Sequence, residues 1–136
     1  MANYITTDTS NPGLTPIQTT GELLVGGNIT AYYSSDISLK DNIRPIESAI
    51  FKVKQIRGVE FDWNEKSTES QQEKGHDVGL IAQEVEKVLP EVIQIREDGI
   101  KAISYEKVVP LLVEAIKEQQ TTIENLESRL KLLEDK

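Results

Sequence analysis

Residues 109–136 read VPLLVEAIKEQQTTIENLESRLKLLEDK. Val109, Ile116, Ile123 and Leu130 recur at one heptad position, a, and Leu112, Leu126 and Leu133 at another, d, where Gln119 takes the remaining place. Four such heptads predict one long helix, from about Tyr105 or Glu106 to the end, whose seam meets other helices in a coiled coil. Pro110 is compatible only with the first turn, so the regular helix starts beside it. A β-branched-rich a set with Leu at d also satisfies the rule for two strands, so the pattern leaves the strand number open. A Gln in the seam is one device for setting register. The competing expectation is a terminal helix packed on its own domain.

Working outward, Ile46, Ala49, Ile50, Val53 and Ile56 follow i, i+3, i+4, i+7 spacing and predict an amphipathic helix. Pro45 suits its first turn and Gly58 the position just past its end. Val59-Glu60-Phe61-Asp62-Trp63 alternates and predicts a half-buried strand with Trp63 as a core anchor. Residues 64–77 are uniformly polar and predict a long loop or an extended arm, with disorder the rival reading. Gly79 to Leu89 carries a second helical stripe, stopped by Pro90. Glu91–Arg96 and Ile100–Ser104 flank Asp98-Gly99, a hairpin signal. The expected fold class is α+β: a small antiparallel sheet of about three strands, helices, a long C-terminal helix and an N-terminal β stub.

The chain has 136 residues, enough for one modest domain and an appendage. With 15 Lys+Arg against 23 Asp+Glu its net charge is −8, without the basic footprint of a nucleic-acid binder. It has no Cys, which excludes disulfides and thiolate chemistry, and one His, which excludes a multi-His metal site. No cofactor or metal is expected. No apolar run approaches the roughly 20 residues of a membrane-spanning helix, and the N-terminus does not read as a secretory signal.

Charge is unevenly spread. Residues 1–33 hold two charged side chains, Asp8 and Glu22, with seven Thr and four of the eight Gly. All 15 basic residues lie beyond them. Residues 1–20 are too polar to fold alone. Residues 21–33 read as two short strands around Gly26-Gly27, a piece that needs outside partners or is a disordered leader. Two different materials meet near Tyr33–Ser34.

At that junction stands Ser34-Ser35-Asp36-Ile37-Ser38-Leu39-Lys40. A serine and a lysine can form a nucleophile–base pair without histidine, provided the lysine is neutral part of the time. Positions i and i+5 lie about 140° apart around a helix. They lie roughly 16 Å apart along a strand. The pair therefore needs a bend, or a lysine from another copy. On spacing alone a solvated lysine beside a turn is the ordinary case.

Several ordered motifs resemble one family, the intramolecular chaperone or peptidase S74 domain of phage tailspikes, tail fibres and endosialidases. They are Ser35–Ile43, Val59–Trp63, Gly79–Val92 and Tyr105–Ile116. The resemblance implies a homotrimer that folds the preceding fibrous region of its own chain and then cuts itself free. It places the cut between Ser34 and Ser35, with Ser35 as nucleophile and Lys40 as base; on chemistry alone, Asp36 is expected either to orient Lys40 or to hold the turn. It implies a client at 1–34 and a self-cleaving domain at 35–136 whose residues 106–136 form the coiled-coil helix. The setting would be a phage virion precursor folded in the bacterial cytoplasm, with neither nucleic acid nor membrane as partner. The rival reading is a non-cleaving trimerisation or attachment module. His76 is expected to be a solvated loop residue, the pairs Glu84/Glu86 and Glu124/Glu127 solvated helix faces, and Gln83 a residue without chemistry.

Overall fold

The computed structural model describes residues 26, 34–67, 74–96 and 98–136. The chain divides into two units, Met1–Ile37 and Ser38–Lys136. The two strands expected within 21–33 lie outside the described residues, and the elements below belong to the second unit.

The stripe beginning at Ile46 folds as a short helix, α1 (Ala49–Val53), rather than a helix reaching back to Pro45. Ser48 sits in the left-handed region at φ 54°, which no α-helical run passes through. The stripe still does its packing: Ile46, Ile50, Val53 and Ile56 lie against Ala49, Leu111 and Ala115. Gly58 opens the next strand instead of ending the helix.

Strand β1 (Gly58–Asp62) keeps the expected alternation of exposed and half-buried residues. It pairs antiparallel with β2 (His76–Leu80), in a register that sets Glu60 opposite Val78 and Asp62 opposite His76. The β2 strand is a correction, since its residues read as the end of a polar arm and the start of a helix. Pairing to β1, a tertiary effect, decides it. Helix α2 (Ala82–Val88) accordingly begins later than its stripe suggests. Trp63 is half-buried rather than a core anchor. It packs edge-on against Phe61, with ring centroids 4.9 Å apart, and its indole donates to Asp77 Oδ2 at 3.1 Å.

Pro90 ends α2 and opens a 3-10 turn (Pro90–Val92), which leads into β3 (Ile93–Ile95). Strand β4 (Lys101–Ile103) returns antiparallel through the expected Asp98-Gly99 turn. Gly99 has φ 80°, a conformation that favours glycine, and Asp98 Oδ1 accepts the Ile100 N–H at 2.9 Å. Among the described residues the two hairpins do not join, forming two two-stranded sheets and not one of three strands.

A 3-10 turn (Tyr105–Val108) feeds the long helix α3 (Val109–Glu134), with Pro110 in its first turn where the missing N–H costs nothing. Leu111 and Ala115 on α3 bury Ala49 of α1. Val85, Val92 and Val108 form a second cluster, and half-buried Ile56 and Leu89 border both. Six buried hydrophobic residues are the whole core among the described residues, little for a unit of this length.

Candidate functional site

From Ser34 to Pro45 every residue is exposed. Ile37–Leu39 form a single 3-10 turn, and Asn42 adopts φ 53°. Ser34, Ser35 and Asp36 belong to the first unit and Lys40 to the second. Large apolar side chains are exposed along the same stretch: Ile37 at 75%, Leu39 at 70% and Ile43 at 62%. Desolvation is the usual means of making a lysine a base. It requires that this stretch be covered.

Downstream of Lys40 the chain is held firmly. Half-buried Ile46 packs on the α1–α3 cluster. The Glu118 carboxylate of α3 then accepts the N–H groups of Ala49 at 2.7 Å and Ile50 at 2.9 Å. These are the first two N–H groups of α1, which has no side-chain cap of its own, so a residue 69 positions away caps it. The bonds from Ile50 and Ala49 hold the Glu118 carboxyl below the usual carboxylate range, with Lys52 adding to the effect and burial opposing it. Sequence reasoning missed Glu118. The available signal was its place on the stripe Leu111, Ala115, Glu118, the face of α3 that carries the buried residues.

The acidic residues of α2 are struts and not free solvated faces. Glu84 takes the Arg57 guanidinium, 2.8 Å from Nε, and the Arg57 backbone N–H at 3.1 Å. Arg57 side-chain bonding holds the Glu84 carboxyl low. Glu86 pairs with Lys101 of β4. On α3, Glu124 accepts from Gln120 at 2.9 Å, and Glu127 is exposed. Gln83 is exposed. His76 lies in strand β2 and not in a loop; it is exposed, with Nδ1 3.3 Å from Asp62 Oδ1. Among the described residues no group of three or more His, Cys, Asp or Glu could hold a metal ion. No described helix is long and apolar enough to cross a membrane.

Tyr105 was also missed. Its hydroxyl accepts the Leu80 N–H at 2.9 Å, tying the β1–β2 hairpin to the turn before α3. Gly79 makes room for it: a Cβ there would lie 2.7 Å from the Tyr105 hydroxyl oxygen.

The heptad seam is solvent-facing throughout. Val109, Leu112, Ile116, Ile123, Leu126, Leu130 and Leu133 are between 44% and 65% exposed. From Gln119 to Lys136 every residue is exposed. Two faces of one helix are thus used differently, Leu111, Ala115 and Glu118 inward and the a/d seam outward. Most helical stability in proteins comes from packing an apolar face, and the exposed apolar stripe on this helix calls for a partner.

Residues 35–94 match the family model of peptidase S74, described as the chaperone of endosialidase. The chain is 38% identical over 121 residues to the long tail fiber protein Gp37 of Enterobacteria phage K3, and likewise to that of Enterobacteria phage T2. Each match covers 81% of this chain and 9% of the relative. Gp37 of Salmonella phage S16 is 34% identical over 109 residues, covering 75% of this chain and 14% of that protein. The chain therefore spans about a tenth of the length of these relatives.

Proposed function

From the premise that residues 35–94 of this chain belong to the peptidase S74 family, we propose that it is the C-terminal intramolecular chaperone of a phage tail fibre, assembling as a homotrimer and releasing itself by autoproteolysis between Ser34 and Ser35. The observation that carries the reading is that the family match begins at Ser35, where the charge-poor leader ends. The exposed a/d seam of α3 and the small core support assembly, since both leave apolar surface that other copies would cover.

Ser35 Oγ attacks the Ser34 carbonyl carbon while the neutral Lys40 amine takes the hydroxyl proton. The Ser34–Ser35 C–N bond breaks, the same proton passes to the leaving nitrogen, and the acyl group rests on Ser35 as an ester. Water hydrolyses that ester to a Ser34 carboxylate and a free Ser35 hydroxyl. Asp36 orients Lys40 or holds the turn. Lys40 works as a base only when covered, so cleavage follows assembly. Fibrous β regions with long-range pairing between chains fold slowly and risk misregister. A chaperone that registers them and then departs leaves the client kinetically trapped. The product belongs to the virion, after folding in the host cytoplasm.

The test is the state of the Ser34–Ser35 bond in the purified chain, intact at 15.2 kDa. Mass spectrometry is expected to find residues 35–136 as a product, and Ser35→Ala and Lys40→Ala to keep the chain whole. If the folded, assembled wild type stays whole, the non-cleaving module takes this reading's place. Cleavage that survives both substitutions rejects the dyad.

A further inference from the structure

The seam of α3 is flanked at its N-terminal end by two apolar grooves on opposite sides. The first, of about 750 Å³, runs between the β1–β2 hairpin and α3; Val78, Val108 and Leu112 line it together with Glu60. The second, of about 360 Å³, lies between Arg44–Ile46 and the turn of α3 carrying Val113. Val109 lines both. In the heptad, Val108 is a g residue and Leu112 a d residue, so the first groove occupies the d/g flank. Val113 is an e residue, so the second occupies the a/e flank. When parallel helices join through an a/d seam, the g flank of each lies beside the e flank of the next.

Resting on the reading that copies join through this seam, we infer that adjacent copies interlock head to tail, the Glu60 groove of one receiving the Arg44–Ile46 edge of the next. The occupant is a second copy because the two flanks are complementary in position and in charge. One groove carries the acid Glu60; the other is lined by Arg44 and Glu114, and Glu114 is already paired with Lys117 of its own helix, which leaves Arg44 as the unpaired charge on that edge. Among the described residues neither Glu60 nor Arg44 has an ion-pair partner. Val78, 66% exposed, supplies the apolar floor for the contact. The contact is heterologous, so it closes into a ring only when the rotation between copies permits. It therefore fixes a strand number that the a and d residues leave open. It also covers the chain just after Lys40, at Arg44.

The chain has no cysteine, so Glu60→Cys and Arg44→Cys can be made in a clean background. Copies bearing one substitution are co-folded with copies bearing the other and treated with a short bismaleimide. Crosslinks between unlike chains are expected, and none in either preparation alone. A chain bearing both should give covalent species up to three copies and no further. In parallel, Glu60→Arg or Arg44→Glu should weaken association at low salt on the order of tenfold, the double swap restoring most of it. If wild type sediments as an oligomer but unlike chains do not crosslink and the single reversals associate normally, the interlock is wrong and the seam stands. A wild type that sediments as one copy overturns the seam as well.

Discussion

The carboxylate of Glu118 accepts the backbone N–H of Ala49 at 2.7 Å, so the long helix caps the short one. The bond places a charged side chain between the helix that bears the seam and the segment that leads back to Lys40. Removing it leaves the Ala49 and Ile50 N–H groups without that acceptor. Glu118→Ala is expected to lower Tm by several degrees and to speed hydrogen exchange at Ala49 and Ile50. Unchanged exchange at those two amides would count against the cap.

The same group gives the fold an acid sensitivity. Hydrogen bonds from Ile50 and Ala49 depress the folded-state pKa of Glu118 below its unfolded value, about 4.3. Its contribution is therefore complete above that value and lost as pH falls through the folded one. Glu118→Gln should be less stable than wild type near neutrality, and the gap should close as the solution is acidified below the ordinary carboxylate range. Thermal melts of both proteins between neutrality and strong acid check this; a gap constant with pH would refute it.

Gly79 and Tyr105 form a size-coupled pair. A Cβ at Gly79 meets the Tyr105 hydroxyl oxygen at 2.7 Å, so Gly79→Ala should cost about 1–3 kcal/mol. Tyr105→Phe in the same chain removes the obstructing oxygen and should recover part of that loss. Chemical denaturation of the four proteins of this cycle measures the coupling, and additivity of the two substitutions would argue against the contact.

Adjacent leucines on α3 should fail in different ways. Leu111 is fully buried, so Leu111→Ala should cost about 2–5 kcal/mol and approach unfolding of the domain. Leu112 and Leu126 are 44% and 51% exposed at d positions. Leu126→Asp should leave the packed part of a single copy around Leu111 folded and abolish association. Sedimentation alongside circular dichroism separates the two outcomes.

Much of this was legible before folding because it depends on local pattern. The Asp98-Gly99 hairpin, the alternation of Val59–Asp62 and the stop at Pro90 follow from turn chemistry and side-chain period. The α+β class and the long helix follow likewise. The Ser35–Lys40 motif was legible only as spacing and resemblance. Strand β2 was not legible, because His76-Asp77-Val78-Gly79-Leu80 has too few apolar residues to declare itself and becomes a strand only when β1 offers a partner. The length of α1 was hidden too: its apolar period runs through Ser48, while the left-handed backbone there does not.

What residue order determined by itself is the set of one-dimensional quantities: a charge-poor leader, a seam recurring every seven residues, a serine and a lysine at their boundary. Periodicity and charge need no partner to exist. What tertiary structure decided is which of those patterns is spent inside the chain and which is left over. Leu111, Ala115 and Glu118 are consumed by α1 because packing and N–H satisfaction pull them inward. Val109, Leu112, Ile116 and the seam below them stay exposed, because among the described residues no element of a single copy covers them.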